Sequence, residues 1–159
     1  VYPLFVQYYH ENKNKLFNYY TILSCYMTLL SYLIVLFIYI FHEKLIQITF
    51  GDNFEDSSRI LVLLSFGLIP MFNAFLRSSY ITISGNQKII LYTSLFSSIF
   101  NVITNYFLIN EFGLQGAVYS TVLTQILSLF VLNAAFNETK VLFFIQAKSL
   151  VLLGIWHKK

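Results

Sequence analysis

Residues 105–117 read Asn105-Tyr106-Phe107-Leu108-Ile109-Asn110-Glu111-Phe112-Gly113-Leu114-Gln115-Gly116-Ala117 and join two long uncharged runs. Ile89 to Ile109 and Phe112 to Phe136 are each of the length, about 20 residues, that an α-helix needs to cross hydrocarbon. Gly113 can take the positive φ that a tight reversal demands. Gly116 and Ala117 remove side-chain bulk where the returning helix starts against its neighbour. The stretch therefore predicts the turn of a membrane hairpin, and the fold expected around it is an all-α integral membrane bundle.

Composition points the same way. Hydrophobic residues make up 57% of the 159 and charged ones only 11%, whereas a soluble domain carries about 25% charged residues and could not bury so much apolar surface. The charges are gathered between apolar runs, as multi-spanning proteins place them in water-facing segments. A net charge of +3 without a dense basic tract gives no surface for nucleic acid. Cys25 is the only cysteine, so no intrachain disulfide forms and the thiol is read as a small buried hydrophobe. His10, His42 and His157 lie far apart without metal-ligand spacing, so neither a metal nor another cofactor is expected.

The chain opens Val1-Tyr2-Pro3, without a methionine or a basic segment leading into a cleavable apolar core; this predicts no signal peptide and a cut start. Residues 1–18, with His10, Glu11, Lys13 and Lys15, are expected to form a polar cytoplasmic segment. A membrane domain over 19–136 follows, with four transmembrane helices at about 19–41, 60–83, 89–109 and 112–136. Residues 137–159 form a cytoplasmic or interfacial tail. In that tail Val141 to Trp156 is short for a span, split by Gln146 and Lys148, and is read as a C-terminal interfacial helix with Trp156 at the aromatic belt, the alternative being a fifth span.

Polar residues inside the spans fall on faces. In the first span Thr21, Ser24, Cys25, Thr28 and Ser31 repeat in steps of three and four; such a stripe serves helix packing, with a hydrated cavity as the other possibility. The second span is interrupted by Gly67, Pro70 and Arg77, and Pro70 predicts a kink because it removes a backbone hydrogen bond. Arg77 is the one formal charge well inside a span; it either meets an anion in a cavity or snorkels to head groups. In the third span Asn101 and Asn105, one turn apart, need partners from facing helices or from a wet pathway. In the fourth, Gly116, Ser120, Thr124 and Ser128 recur every four positions beside Gln125, which predicts tight helix packing.

Orientation follows from the basic residues. A cytoplasmic N-terminus places Lys13, Lys15, Arg77, Lys88, Lys140, Lys148, Lys158 and Lys159 on or near that side and leaves Lys44 and Arg59 outside. Four spans then put both termini in the cytoplasm, with the acidic loop of Glu43, Asp52, Glu55 and Asp56 outside.

The order of these features resembles the C-terminal half of bacterial polysaccharide exporters of the Wzx O-antigen flippase type, in the multidrug/oligosaccharidyl-lipid/polysaccharide exporter superfamily. The residues that carry the resemblance are Pro3, the Phe50-Gly51-x-x-Phe54 turn, Gly85-Asn86, the Asn101 and Asn105 helix, Gly113-Leu114-Gln115-Gly116-Ala117, and the tail around Phe143-Phe144-Ile145-Gln146-Ala147-Lys148-Ser149-Leu150. The resemblance implies a two-lobed transporter of twelve or more helices in the bacterial inner membrane. Such a transporter moves undecaprenyl-pyrophosphate-linked oligosaccharide units between leaflets by alternating access, for O-antigen or other surface polysaccharide. The chain departs from it by having about four spans, which implies a fragment, a truncated product or one piece of a split transporter. Its expected partners are the lipid-linked oligosaccharide in the full-length context, membrane lipids, and the missing N-terminal lobe or other polysaccharide-assembly proteins. In that setting Arg77 would meet the lipid pyrophosphate, and Asn101, Asn105 and Gln125 the sugar hydroxyls. Two other classes are weighed. An integral-membrane glycan enzyme would show clustered His, Asp or Glu near one face, which the scattered histidines do not offer. A noncatalytic scaffold would use the small-residue faces of the first and fourth spans to pack into an assembly.

Overall fold

The computed structural model describes residues 2–51 and 54–152. Asp52, Asn53, Trp156, His157, Lys158 and Lys159, which entered the loop, tail and orientation arguments, lie outside the described residues. Seven helices follow one another: α1 (Tyr2–Glu11), α2 (Lys13–Phe50), α3 (Glu55–Ser65), α4 (Leu68–Ile83), α5 (Lys88–Phe112), α6 (Leu114–Leu129) and, after a 3-10 turn at Val131–Ala135, α7 (Lys140–Leu150). No strand occurs among the described residues, and the protein is an all-α membrane bundle. Four stretches are long and apolar enough to cross a bilayer: Lys13–Phe50, Ser57–Ile83, Lys88–Phe112 and Leu114–Ala135.

The helices run on where the sequence suggests loops. Asn12 caps α2, its Oδ1 accepting from the backbone N–H of Asn14 at 2.9 Å and of Lys15 at 3.2 Å. The helix absorbs Lys13 to Asn18 at one end and His42 to Phe50 at the other, and stops where the Gly51 N–H meets the Gln47 carbonyl at 3.0 Å. Its 38 residues make a rod of about 57 Å at 1.5 Å per residue, far longer than the roughly 30 Å of hydrocarbon, so its ends project into the head groups and water. Nothing in Lys13–Asn18 or His42–Phe50 breaks a helix, which is why polarity alone did not end it.

The second span is kinked, as expected, and not broken: Phe66 and Gly67 keep right-handed helical dihedrals while the regular hydrogen-bond ladder is interrupted there. Pro70 has no N–H for the Phe66 carbonyl, and its ring crowds that carbonyl. Accordingly α3 stops at Ser65 and α4 restarts at Leu68, with Pro70 in the tolerant first turn and the Phe66 carbonyl taking the Ile69 N–H at 3.3 Å instead. The discontinuity thus falls a turn before the proline.

The predicted hairpin is α5 and α6. Gly113 reverses the chain at φ 59°, and its N–H closes α5 on the Ile109 carbonyl at 2.8 Å. Gly116 is buried, and any Cβ there would collide with the Leu108 carbonyl, so α6 leaves the turn in backbone contact with α5. The other end of the bundle has a core of Phe5, Leu16, Tyr20, Leu76, Leu142 and Ile145, drawn from α1, α2, α4 and α7. α7 is therefore packed in: Leu142, Ile145, Gln146 and Ser149 line its inner face, while Lys140, Phe144 and Lys148 are exposed. Its 11 residues, about 16 Å of helix, are too short to cross the bilayer.

Gly116→Ala places a methyl group against main-chain atoms that cannot rotate away. It should destabilise the hairpin by about 1–3 kcal/mol, the usual range for overpacking. Thermal unfolding in detergent reads this, and a midpoint equal to that of the unsubstituted protein would show that α6 does not approach α5 so closely.

Candidate functional site

The apolar spans surround a polar interior built largely from neutral side chains. α2 supplies the stripe Ser24, Thr28 and Ser31, all fully buried. Across the interface α4 presents Asn73, whose Oδ1 accepts from the Ser24 hydroxyl at 2.5 Å and whose Nδ2 donates to Thr28 Oγ1 at 3.0 Å. Thr28 donates to Ser149 Oγ of α7 at 3.1 Å, and Ser149 donates to the Gln146 carbonyl at 2.7 Å. The stripe on the first span is thus a packing face, tied by side-chain hydrogen bonds to α4 and α7, which is the use such residues have where lipid offers no partners.

Arg77 lies one turn beyond Asn73 on the same inward face, and it does not snorkel. Its Nε donates to Asn133 Oδ1 at 2.6 Å and its Nη2 to Thr93 Oγ1 of α5 at 3.1 Å. Asn133, in the 3-10 turn, is the hub. Its Nδ2 donates to the Leu129 carbonyl at 3.0 Å and to Gln146 Oε1 at 2.9 Å, and its own carbonyl accepts from Thr139 Oγ1 at 3.0 Å. One amide therefore links α4, the end of α6 and α7. No carboxylate pairs with the guanidinium among the described residues, and its hydrogen-bond partners are neutral.

The remaining sequence candidates lie elsewhere. Asn101 Nδ2 reaches Ser120 Oγ at 3.3 Å and Thr124 Oγ1 at 3.0 Å, and Asn105 Nδ2 donates to Asn101 Oδ1 at 2.9 Å. Both asparagines are engaged in the α5–α6 seam, where Thr104 and Ser120 also meet at 2.5 Å. Ser120 and Thr124 of the expected small-residue row stand in this seam behind Gly116 and Ala117. Gln125 points from α6 into the kink of the second span, where only the missing side chain of Gly67 leaves room for its Oε1, and that oxygen has no hydrogen-bond partner among the described residues. Arg77, the Asn101–Asn105 pair and Gln125 therefore occupy three separate places.

Beside the kink is a cavity of about 250 Å³, walled by apolar groups of Phe66, Pro70, Ile126 and Phe130 and reached by Asn73 and Gln146. A proline-kinked helix at membrane depth is tolerated where neighbouring groups meet the freed backbone, and here the kink borders the cavity. The described residues hold no group of three His, Cys, Asp or Glu side chains able to bind a metal. Asn133 went unread in the sequence, and Gln146 was read only as a polar interruption of the tail, not as part of the Arg77 environment. Their partners are 56 and 13 residues away, and no periodicity connects an arginine in one span with an amide in a 3-10 turn. The one available hint was the rule that an intramembrane charge needs a polar partner.

A family model described as MatE matches residues 2–107. No curated protein and no solved structure matches the chain. The matched stretch holds Arg77, Asn101 and Asn105, whereas Ser120, Asn133, Gln146 and Ser149 lie beyond it.

Asn133→Ala strips a hydrogen-bond acceptor from a buried guanidinium and a donor from Gln146 at once. The expected loss is about 2–3 kcal/mol, since bonds to charged groups carry more than neutral ones. Asn101→Ala, in a half-buried neutral seam, should cost about 0.5–2 kcal/mol. Unfolding midpoints of the two variants, with an Arg77–Asn133 double-mutant cycle, check the ranking; equal losses and zero coupling would remove Asn133 as the hub.

Proposed function

This chain belongs to the MatE family of membrane exporters, and on that premise we propose that it serves as part of a flippase for undecaprenyl-pyrophosphate-linked oligosaccharide units. In this reading the spans sit in a bacterial inner membrane with both termini cytoplasmic, and they work with the other lobe of a larger transporter. The product is O-antigen or another surface polysaccharide. The order of the turn and amide motifs supports the cargo class, and membership of the family supports transport rather than catalysis.

The observation that carries the reading is the kink at Phe66–Gly67 beside an almost wholly apolar cavity that Asn73 and Gln146 help to line. A scaffold needs packed helices only. A second span kinked at membrane depth, with Gln125 and Gln146 each holding a buried polar atom that has no partner among the described residues, is costly in a purely structural bundle. It is of use to a protein that must rearrange around a polar, carbohydrate-bearing cargo. In the structure Arg77 ties α4 to α5 and to the 3-10 turn, Asn101 and Asn105 lie in the α5–α6 seam, and Gln125 faces Gly67.

Deleting the gene for this chain should abolish surface polysaccharide and trap lipid-linked repeat units on the cytoplasmic side, with both effects reversed by the parental gene. An unchanged glycan profile with no trapped intermediate would overturn the flippase reading and leave a scaffold.

A further inference from the structure

The cavity beside the kink has a definite depth. Its α4 wall carries Asn73, whose amide meets Ser24 and Thr28 of α2. Its α7 wall ends at Leu150, whose carbonyl accepts from the Tyr32 hydroxyl of α2 at 2.8 Å. Ser24, Thr28 and Tyr32 lie around the middle of the uncharged run from Tyr19 to Phe41. The space between the last turn of α7, the kink and the end of α6 is therefore level with the centre of the first span.

Its wall is chemically plain. About 250 Å³ is bounded almost wholly by hydrocarbon. Asn73 spends both ends of its amide on Ser24 and Thr28, Gln146 Oε1 accepts from Asn133, and Gln146 Nε2 is shielded from the space. Water keeps its place in a hole only with about two to four polar partners, whereas an apolar hole of about 150 Å³ stays dry and takes one benzene. By that yardstick there is room here for about ten carbon atoms. The cavity is also half open, and Phe66, Ile126 and Leu150, which border it, are 47%, 40% and 37% exposed. Outside a bundle at the middle of a span lie the ends of lipid chains.

We infer that this cavity binds the terminal segment of a phospholipid acyl chain from the surrounding bilayer. A flexible chain end enters through the open side without desolvating a polar group, and its carbons restore the contacts that an empty hole forfeits. A polar head group is excluded by the same wall, since it would find no partner there. The inference holds for an exporter and for a scaffold alike.

The test places the purified protein in nanodiscs whose phospholipid includes a small share carrying a photoreactive diazirine, either at the end of an acyl chain or next to its carbonyl. After irradiation, adducts are mapped by peptide mass spectrometry. The chain-end probe should label Phe66, Ile126, Phe130 and Leu150 several-fold more than Leu95 and Ile99, exposed residues near the middle of α5. The carbonyl-end probe should show no such preference. Ile126→Trp, which fills the space, should bring cavity labelling down to the α5 level and leave α5 labelling unchanged. Leu150→Trp, at the end of α7, serves the same purpose if the first variant does not fold. Cavity labelling no stronger than that of α5, an equal preference by the two probes, or cavity labelling left at full strength by the tryptophan variants would each overturn the inference.

Discussion

Hydrocarbon has no hydrogen bonds to offer, and most of this architecture follows from that constraint. A polar side chain within a span must find its partner on another part of the protein or hold a solvent or ligand of its own. Lipid also removes the usual hydrophobic drive between helices, so the bundle is held by close approach and by the polar contacts that close approach permits. The two effects meet in the same residues. Serine, threonine and glycine are small enough to let backbones near one another, and the hydroxyls then reach the amides that would otherwise be stranded.

Two kinds of junction result. The α5–α6 hairpin is local: Gly116 lets the helices touch at the Leu108 carbonyl, and from there Ser120 and Thr124 fall naturally opposite Asn101. The Arg77 junction is assembled from distant segments, because Arg77 of α4, Thr93 of α5, Asn133 of the 3-10 turn and Gln146 of α7 each supply one polar group. A hairpin of the first kind can form as soon as both helices exist. The second kind forms only when α7 has returned to the bundle, which makes the C-terminal helix a structural member in spite of its length.

These two kinds of junction also explain what could be read from the sequence. The hairpin, its turn at Gly113 and the four spans were legible, since each depends on residues near in sequence and on a period set by the helix. The packing role of Ser24, Thr28 and Ser31 was legible for the same reason. The kink near Pro70 was legible as a proline effect, and it centres on Phe66–Gly67, a turn earlier, because the steric conflict is with the carbonyl four residues back. What stayed hidden was pairwise and long-range. The sequence places Arg77, Asn101, Asn105 and Gln125 on inward faces but carries no information on which amide each face meets, so one lining was as plausible as the three separate environments that the fold contains. The ends of α2 were hidden for a different reason, because polar residues that favour a loop are equally at ease on a helix that has left the bilayer.

The boundary of the family match sharpens the point. It ends at residue 107, yet the polar interior does not. Asn101 takes its acceptors from Ser120 and Thr124, Arg77 donates to Asn133, and Thr28 donates to Ser149. Each of these bonds crosses the boundary, from a matched residue to an unmatched one. A chain ending at 107 would keep the apolar surface of three spans and lose the acceptors of the half-buried Asn101 amide and one of the two acceptors of its buried guanidinium. The polar contacts of the matched stretch are thus completed by residues beyond it, and the partners supplied by α6, the 3-10 turn and α7 are what make it a stable membrane interior.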